Sequence, residues 1–218
     1  DAINPRTVKR HLPSGLLSPR DMSVLAAAAL GIFFFSASQL NELALVLAPV
    51  AAAYLVGYPL TKRFTWMASI FLGGALGIGP SAAWIGIWGN LSWQPVLLSV
   101  AVAFWAGSFD ILYHVQDRDF YLARNLYSVA QRFGVDTAFC LAKAFDVAAV
   151  ICLVGLGLAM NLGFPYFIGC VLSAGLLIYK YRMISPNDIS RLNVEFLRVN
   201  AYVSITVFVS ISIALLIA

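Results

Sequence analysis

Seven long apolar segments run through this chain, and they restrict its fold more than any other feature. Each approaches the length of roughly 20 residues with which a helix crosses the hydrocarbon layer of a bilayer. They cover 21–38, 43–60, 67–89, 93–113, 137–160, 163–182 and 196–217. Because the segments are continuously apolar and lack the alternation of a membrane β-barrel, we expect an all-α, polytopic membrane helix bundle.

The composition excludes an ordinary soluble domain. Hydrophobic residues occupy 61% of the 218 positions and charged residues only 11%, whereas soluble domains carry about 25% charged residues. Pro49 and Gly57 interrupt the second segment, but membrane helices tolerate both residue types. The three cysteines lie within predicted spans and lack metal-ligand spacing, so we interpret them as packing residues.

The charges divide between the two sides of the predicted bundle. Lys and Arg occur in or beside the loops on one side, and the loops on the other side contain neither. The first side holds 1–20, 61–66, 114–136 and 183–195, and the second holds 39–42, 90–92 and 161–162. This distribution predicts a multi-pass protein of the cell membrane with the charged side in the cytoplasm. The net charge of +4 therefore reflects topology and does not indicate nucleic-acid binding.

Three carboxylates lie where the fourth span ends. Asp110 falls in the predicted last turn, and Asp117 follows seven residues later, so both can face the same side of a continued helix. Asp119 would then point elsewhere. An acid at the edge of the hydrocarbon layer needs a partner, which marks Asp110 as a functional candidate. Asp117 and Asp119 are equally well explained as solvated loop charges.

Basic residues border the same side of the membrane. Tyr58 and Lys62 share a face at the end of the second span, and Arg63 follows them. These side chains could also extend toward the interface simply as anchors. The segment 1–20 adds Asp1, with the basic residues Arg6, Lys9 and Arg10, which could equally contact lipid headgroups. We interpret His11 and His114 as ordinary interfacial histidines.

Acids and bases that meet at one membrane face suit a divalent cation and a diphosphate. Carboxylate oxygens hold Mg²⁺, and Lys or Arg side chains take the remaining phosphate charge. The sequence therefore predicts a site for Mg²⁺ and a diphosphate on the charged side.

Five segments of the chain resemble the UbiA superfamily of intramembrane aromatic prenyltransferases, in particular its 4-hydroxybenzoate polyprenyltransferase branch. The segment 109–134 looks like the second Asp-rich motif and its loop, and 58–66 like the YxxxK segment. The segment 73–84 continues the match of 58–66. The segment 1–15 looks like the end of the first Asp-rich motif and its loop, and the weaker run 188–204 fits the family's last helix.

The resemblance implies a nine-helix fold, of which the seven spans would be the third to the ninth. Residues 1–218 would form a single prenyltransferase domain that lacks its first two helices. The odd number of spans and the abrupt polar opening at Asp1 fit that expectation.

The resemblance also implies an activity and a role for each candidate residue. The expected reaction is Mg²⁺-dependent transfer of a polyprenyl group from polyprenyl diphosphate to a small aromatic acceptor such as 4-hydroxybenzoate, in quinone biosynthesis. The lipid bilayer is the other expected partner. Tyr58 would lie near the allylic carbon, and Asp110 near the acceptor or the proton path. The expected metal ligands are Asp1, Asp117 and Asp119, and the expected diphosphate ligands are Arg6, Arg10, Lys62 and Arg63.

Other readings compete with this one. Tyr121 stands where the family's second motif has another Asp, which favours a degenerate, non-catalytic homologue. An ion-coupled transporter would need charges near mid-membrane; Lys143 and Asp146 lie there, but at i,i+3 spacing they could pair with each other. A CDP-alcohol phosphotransferase is a further alternative, but its DGxxAR signature is missing.

Overall fold

The computed structural model describes residues 7–192 and 194–217, and these residues are almost entirely helical. A 3-10 helix, Tyr58–Arg63, continues the second α-helix. No β-strand forms within the described ranges, apart from an isolated bridge between Ser185 and Asp188. The α-helices are α1 (Pro19–Ser38), α2 (Glu42–Gly57), α3 (Ala68–Trp88), α4 (Trp93–Val115), α5 (Arg118–Ala123), α6 (Val129–Phe133), α7 (Val135–Ala159), α8 (Phe164–Met183) and α9 (Val194–Ile217).

Seven helices in the described part of the chain are long and apolar enough to cross a membrane. They correspond one to one with the seven predicted spans, which confirms the all-α membrane bundle. The main difference lies at the ends, because α4 continues to Val115 and the second span extends through the 3-10 helix to Arg63.

Local capping chemistry sets several helix ends. Ser18 and Asp21 form a reciprocal capping box at the start of α1, and the Asn41 side chain accepts a hydrogen bond from the Ala44 amide at the start of α2. Such side chains satisfy amides that have no partner inside the helix. Gly89 ends α3 in the left-handed region, at a φ of 67°, where a side chain would be strained.

The centre of the bundle is α4, which packs against α3 on one side and α7 on the other. A Cβ added at Gly73 of α3 would collide with the Ala103 carbonyl oxygen of α4, and one at Gly77 would lie 2.7 Å from the Ser99 carbonyl oxygen. Glycine at both positions therefore allows the two backbones to approach closely, as in other membrane helix pairs.

The segments of the predicted charged side lie at one end of the bundle, here called the basic face. This face comprises 7–18, 58–67, 116–134 and 184–192. A hydrophobic core cluster beneath it joins α4, α6, α7 and the loop after α8. Its members include Ile111, Leu112, Val129, Phe139 and Leu192. This cluster fixes the ends of the helices that carry the candidate residues.

Candidate functional site

The last two turns of α4 place a buried acid beside a histidine. Asp110 is only 7% exposed, and its Oδ2 lies 3.2 Å from Nδ1 of His114, one turn later. The same Nδ1 lies 3.1 Å from Oγ of Ser69 on α3. The direction of the Ser69 hydrogen bond depends on the ring tautomer, and the buried Asp110 Oδ2 makes no hydrogen bond to the described residues. Our interpretation of His114 as an ordinary interfacial histidine missed this contact, although its i,i+4 spacing from Asp110 was a usable signal.

The chain turns sharply after α4, and this turn separates the two later acids. Asp117 is 6% exposed and precedes the short helix α5. The Asp119 side chain is 97% exposed, and its only described ionic neighbour is Arg118, at 3.7 Å. The separation follows from α4 ending at Val115, so that Asp119 projects from the first turn of a new helix. Asp110 and Asp117 therefore lie inside the protein, and Asp119 faces outward.

Tyr121 occupies the interior beside these acids. It is buried, its amide donates to the Asp117 carbonyl oxygen at 2.9 Å, and its ring lies 5.2 Å from the His114 ring. The tyrosine thus packs over the histidine that contacts Asp110. The position one turn after Asp117 therefore holds a buried aromatic ring and not a second carboxylate.

The described residues do not by themselves make a metal centre. Within this part of the chain, no group of three His, Cys, Asp or Glu side chains is placed to hold a metal ion. Asp1 and Arg6, one predicted metal ligand and one predicted diphosphate ligand, lie outside the described residues. The Asp117 carboxylate is a type of ligand that suits Mg²⁺. The described residues, however, supply too few ligands around it to hold the ion by themselves.

The 3-10 helix carries the predicted basic residues to the same region. Tyr58 and Lys62 are half-buried, and Arg63 is exposed. The Lys62 carbonyl oxygen accepts a hydrogen bond of 2.8 Å from the Tyr127 amide, in the loop between α5 and α6. This bond fixes the Lys62 backbone against the segment that follows Asp117. Arg10 lies in the described part of 1–20 and is exposed.

Aromatic side chains join the same two loops a second time. The Trp66 ring lies 5.1 Å from the Phe133 ring in an edge-to-face arrangement, and the Arg132 guanidinium lies 5.5 Å from the centre of the Phe133 ring. Two of the predicted charged loops, 61–66 and 114–136, are therefore neighbours in the structure.

A second polar cluster lies deeper in the bundle, and the sequence interpretation missed it. Lys180 of α8 donates to Asp146 of α7 at 2.6 Å and to Ser108 of α4 at 3.3 Å. Tyr181 also donates to Asp146, at 2.6 Å, and its oxygen lies 3.4 Å from Ser108. These four side chains, here called the buried network, link three helices.

The expected pair of Lys143 with Asp146 is wrong. The Lys143 ammonium is exposed and lies 5.3 Å from the centre of the Tyr181 ring, whereas Asp146 faces α8 and pairs with Lys180. The i,i+3 spacing allowed the local pair, but burial of the Asp146 carboxylate required a partner that is equally buried. The sequence shows a lysine near the end of the sixth apolar segment, 163–182, but it does not show that this lysine contacts Asp146 of the preceding segment.

Comparisons with known proteins agree with this architecture. The sequence profile of the UbiA prenyltransferase family matches residues 1–210. The 4-hydroxybenzoate octaprenyltransferase of Nitrosospira multiformis is 32% identical over 214 residues, which cover 94% of this chain and 70% of that protein. The enzyme of the same name from Yersinia enterocolitica is 29% identical, with 99% of this chain and 74% of that protein covered.

A solved structure supports the same relationship. The apo structure of a UbiA homolog from Aeropyrum pernix K1 matches with a TM-score of 0.84 at 31% identity, over 97% of this chain and 78% of that chain. The predicted fold class and the predicted family resemblance are both confirmed.

Proposed function

The chain belongs to the UbiA prenyltransferase family, and we propose that it transfers a polyprenyl group from polyprenyl diphosphate to 4-hydroxybenzoate or a similar aromatic acceptor. Prenyl transfer in quinone biosynthesis follows from the family and from the relatives' names. The acceptor, the requirement for Mg²⁺ and the role of each residue belong to the proposal. The observation that carries it is the burial of Asp110 and Asp117 where α4 ends, together with the hydrogen bond that ties the Lys62 backbone to the loop after α5.

The basic residues bind the diphosphate in this proposal. Lys62 is half-buried, and its backbone is fixed against the loop between α5 and α6 by the hydrogen bond from Tyr127, so its side chain extends from a fixed point. Arg63 and Arg10 add charge at the exposed rim, and Arg6 is assigned the same role by its position in the motif. Charge-assisted hydrogen bonds from such groups stabilise a diphosphate most as it leaves, because its charge then increases.

Asp117 and Asp1 are the proposed ligands of Mg²⁺. Asp119 is a weaker candidate, since its side chain faces outward. The chemistry that Mg²⁺ supplies when bound is neutralisation of charge on the diphosphate oxygens.

Tyr58 and Asp110 act on the two partners of the new bond. The allylic C–O bond breaks with its electron pair remaining on the diphosphate, and the π face of Tyr58 stabilises the cation that remains. The acceptor ring then forms the new C–C bond and releases a proton. Asp110 accepts that proton as general base, and Nδ1 of His114, 3.2 Å away, holds the carboxylate in position.

The basic face is proposed to lie in the cytoplasm, because Lys and Arg concentrate there. The far loops, 39–41, 89–92 and 160–163, contain neither residue. The bundle would then sit in the cell membrane with its acceptor and diphosphate entering from the cytoplasmic side.

Prenyl transfer in membranes that carry the protein tests this proposal. The assay combines Mg²⁺, a radiolabelled polyprenyl diphosphate and 4-hydroxybenzoate, and compares Asp110→Asn with Asp136→Asn. Asp136 is exposed in the first turn of α7 and provides the matched loss of a carboxylate. We expect product that disappears with a chelator, and a fall in rate of about a hundredfold for Asp110→Asn alone. Product formation that is unaffected by Asp110→Asn would contradict the assigned role.

A non-catalytic homologue is the second candidate, and the observation in its favour is Tyr121. The buried ring of Tyr121 fills the position where the family motif places another acid. Absence of product with several acceptors, from protein that is folded and inserted, would favour this candidate.

A further inference from the structure

A groove runs between α7 and α8, beside the buried network, and is here called the α7–α8 groove. Its volume is about 420 Å³, which lies within the usual range for small-molecule sites. Both helices that form it are long and apolar enough to span a membrane. The apolar walls are Val147, Val150 and Ile151 of α7 with Ala174, Leu177 and Ile178 of α8, and the polar end is Lys143, Asp146 and Tyr181.

The apolar part of the α7–α8 groove opens to the outside of the protein. Val147, Ile151 and Ile178 are each more than half exposed. Lys143, Val147 and Ile151 follow one another at four-residue spacing, so they share one face of α7. Because this face belongs to a membrane-spanning helix, its apolar side chains meet hydrocarbon and not water. The chemistry of this part of the groove therefore suits an apolar chain.

Lys143 supplies a positive charge at the polar end of the groove. It is exposed two turns inside α7, and its ammonium lies across the groove, 5.3 Å from the centre of the Tyr181 ring on α8. Tyr181 lies in the last turn of α8, so the ammonium is held at the end of the groove nearer the basic face. None of the ion pairs described includes Lys143. A lysine at this depth is stabilised by an anion at the membrane interface.

The other charges nearby do not neutralise Lys143. The Asp146 carboxylate lines the groove, but it pairs with the Lys180 ammonium at 2.6 Å, so these two groups together add no net charge. Closer to the basic face, the exposed residues Asp136 of α7 and Arg182 of α8 also have opposite charges. The polar end of the groove therefore retains the positive charge of Lys143.

We propose that the α7–α8 groove binds an anionic phospholipid from the leaflet at the basic face. The phosphate meets Lys143, and one acyl chain lies along Val147 and Ile151. An anion joined to a long apolar chain matches both parts of the groove, and basic pockets between membrane helices bind the head groups of such lipids. From Lys143 to Ile151 the groove extends roughly 12 Å along α7, close to the hydrocarbon thickness of one leaflet, about 15 Å. The groove is lined by α7 and α8 alone, so the site does not depend on the proposed function.

Binding of phospholipids to the purified chain, measured by native mass spectrometry, tests the role of Lys143. The probes are phosphatidylglycerol and phosphatidylcholine with identical acyl chains, and the wild-type protein should prefer phosphatidylglycerol. Lys143→Met should weaken phosphatidylglycerol binding about fivefold, the effect of one basic residue at an anionic lipid surface, and leave phosphatidylcholine binding unchanged. Lys143→Arg keeps the charge and should keep the preference. Arg20→Met is the matched control, because Arg20 is exposed at the start of α1 and does not line the groove.

A second pair of variants tests the place of the acyl chain. Ala174 of α8 lines the groove, and a phenylalanine there would fill part of it. Ala174→Phe should therefore weaken phosphatidylglycerol binding by at least the factor expected for Lys143→Met. Ala144 of α7 is exposed and does not line the groove, so Ala144→Phe should bind as the wild-type protein does. Unchanged binding by both Lys143→Met and Ala174→Phe would overturn the proposal.

Photolabelling of the wild-type protein locates the site without any variant. Phosphatidylglycerol with a photoreactive group on one acyl chain, added to the protein in phosphatidylcholine vesicles, should label peptides that contain Val147, Ile151 or Ile178. Excess unlabelled phosphatidylglycerol should compete. Equal labelling of these peptides by a photoreactive phosphatidylcholine would show contact with ordinary surrounding lipid and overturn the inference. Displacement of the label by a prenyl diphosphate, with none by unlabelled phosphatidylglycerol, would assign the groove to the prenyl donor and also overturn it.

Discussion

The Lys180 ammonium and the Asp146 carboxylate lie 2.6 Å apart, and their side chains are 0% and 5% exposed. Both side chains are withdrawn from solvent, and an unpaired charge in such a position is costly, so each stabilises the other. The Ser108 hydroxyl of α4 accepts a hydrogen bond from Lys180, and the Tyr181 hydroxyl of α8 donates one to Asp146. The buried network therefore joins three helices, and removal of either Lys180 or Asp146 would leave its partner buried without a counter-charge.

Replacing Lys180 by Met should destabilise the protein strongly. Loss of one partner of a buried ion pair leaves an uncompensated charge and costs about 3–5 kcal/mol. Thermal unfolding of the purified protein in detergent measures the effect. Lys143→Met is the matched control, since that lysine is exposed, and it should change stability much less.

The double variant Lys180→Met with Asp146→Leu distinguishes a paired charge from simple packing. It should be more stable than Lys180→Met alone, because the unpaired carboxylate is gone. Equal destabilisation by the single and double variants would show that the ion pair itself is not what the helices depend on.

The membrane spans could be predicted from the sequence because their signal is local. A helix such as α7 needs only a sufficient length of apolar residues to be placed in a bilayer, and no distant contact decides it. The partner of Asp146 is different. Local spacing offered Lys143, whereas the fold brings Lys180 from the next helix, and only packing of α7 against α8 decides between them.

The candidate site could likewise be predicted only where its signal is local in the sequence. Motif position identified Asp110, Asp117, Tyr58 and Lys62 as candidates. The structure brings Lys62 against the loop between α5 and α6. The outward direction of Asp119 depends on where α4 ends. Likewise, the contact of His114 with Ser69 depends on how closely α3 approaches α4, which no local pattern gives.

Replacing His114 by Phe should slow prenyl transfer without weakening substrate binding. Phe keeps a ring beside Tyr121 but removes the Nδ1 contacts with Asp110 and Ser69. We expect kcat to fall about tenfold, which corresponds to roughly 1.4 kcal/mol of transition-state stabilisation, with KM little changed. A rise in KM at constant kcat would instead place His114 in substrate binding.

A second variant provides the control for His114. Ser69→Ala removes the other oxygen beside Nδ1 and leaves the Asp110–His114 contact in place, so it should lower kcat less than His114→Phe. Equal losses of kcat in the two variants would indicate that the packing of α3 against α4, and not the contact with Asp110, sets the rate.

Replacing Tyr121 by Asp should strengthen metal binding. The new carboxylate would lie one helical turn after Asp117, where it adds a hard oxygen ligand of the kind Mg²⁺ prefers. We expect the half-saturating Mg²⁺ concentration to fall about tenfold, a change of roughly 1.4 kcal/mol in binding free energy. Titration with Mn²⁺, followed by its electron paramagnetic resonance signal, measures binding independently of activity. Tyr121→Asn removes the same ring without adding charge, and an equal effect of both variants would contradict the prediction.

Gly73 should tolerate no side chain, whereas Gly79 on the same helix should. A Cβ at Gly73 would meet the backbone of α4 at Ala103, and one at Gly79 would meet open space. Gly73→Ala should therefore force α3 away from α4 and destabilise the protein by about 1–3 kcal/mol. It should also reduce activity, because Ser69 lies one turn nearer the basic face on α3 and contacts His114 of α4. Gly79→Ala should leave both properties near the wild-type values. Thermal unfolding and prenyl transfer, measured on the same preparations, test both variants. Equal stability of Gly73→Ala and Gly79→Ala would show that the stability of the protein does not depend on close contact of α3 with α4.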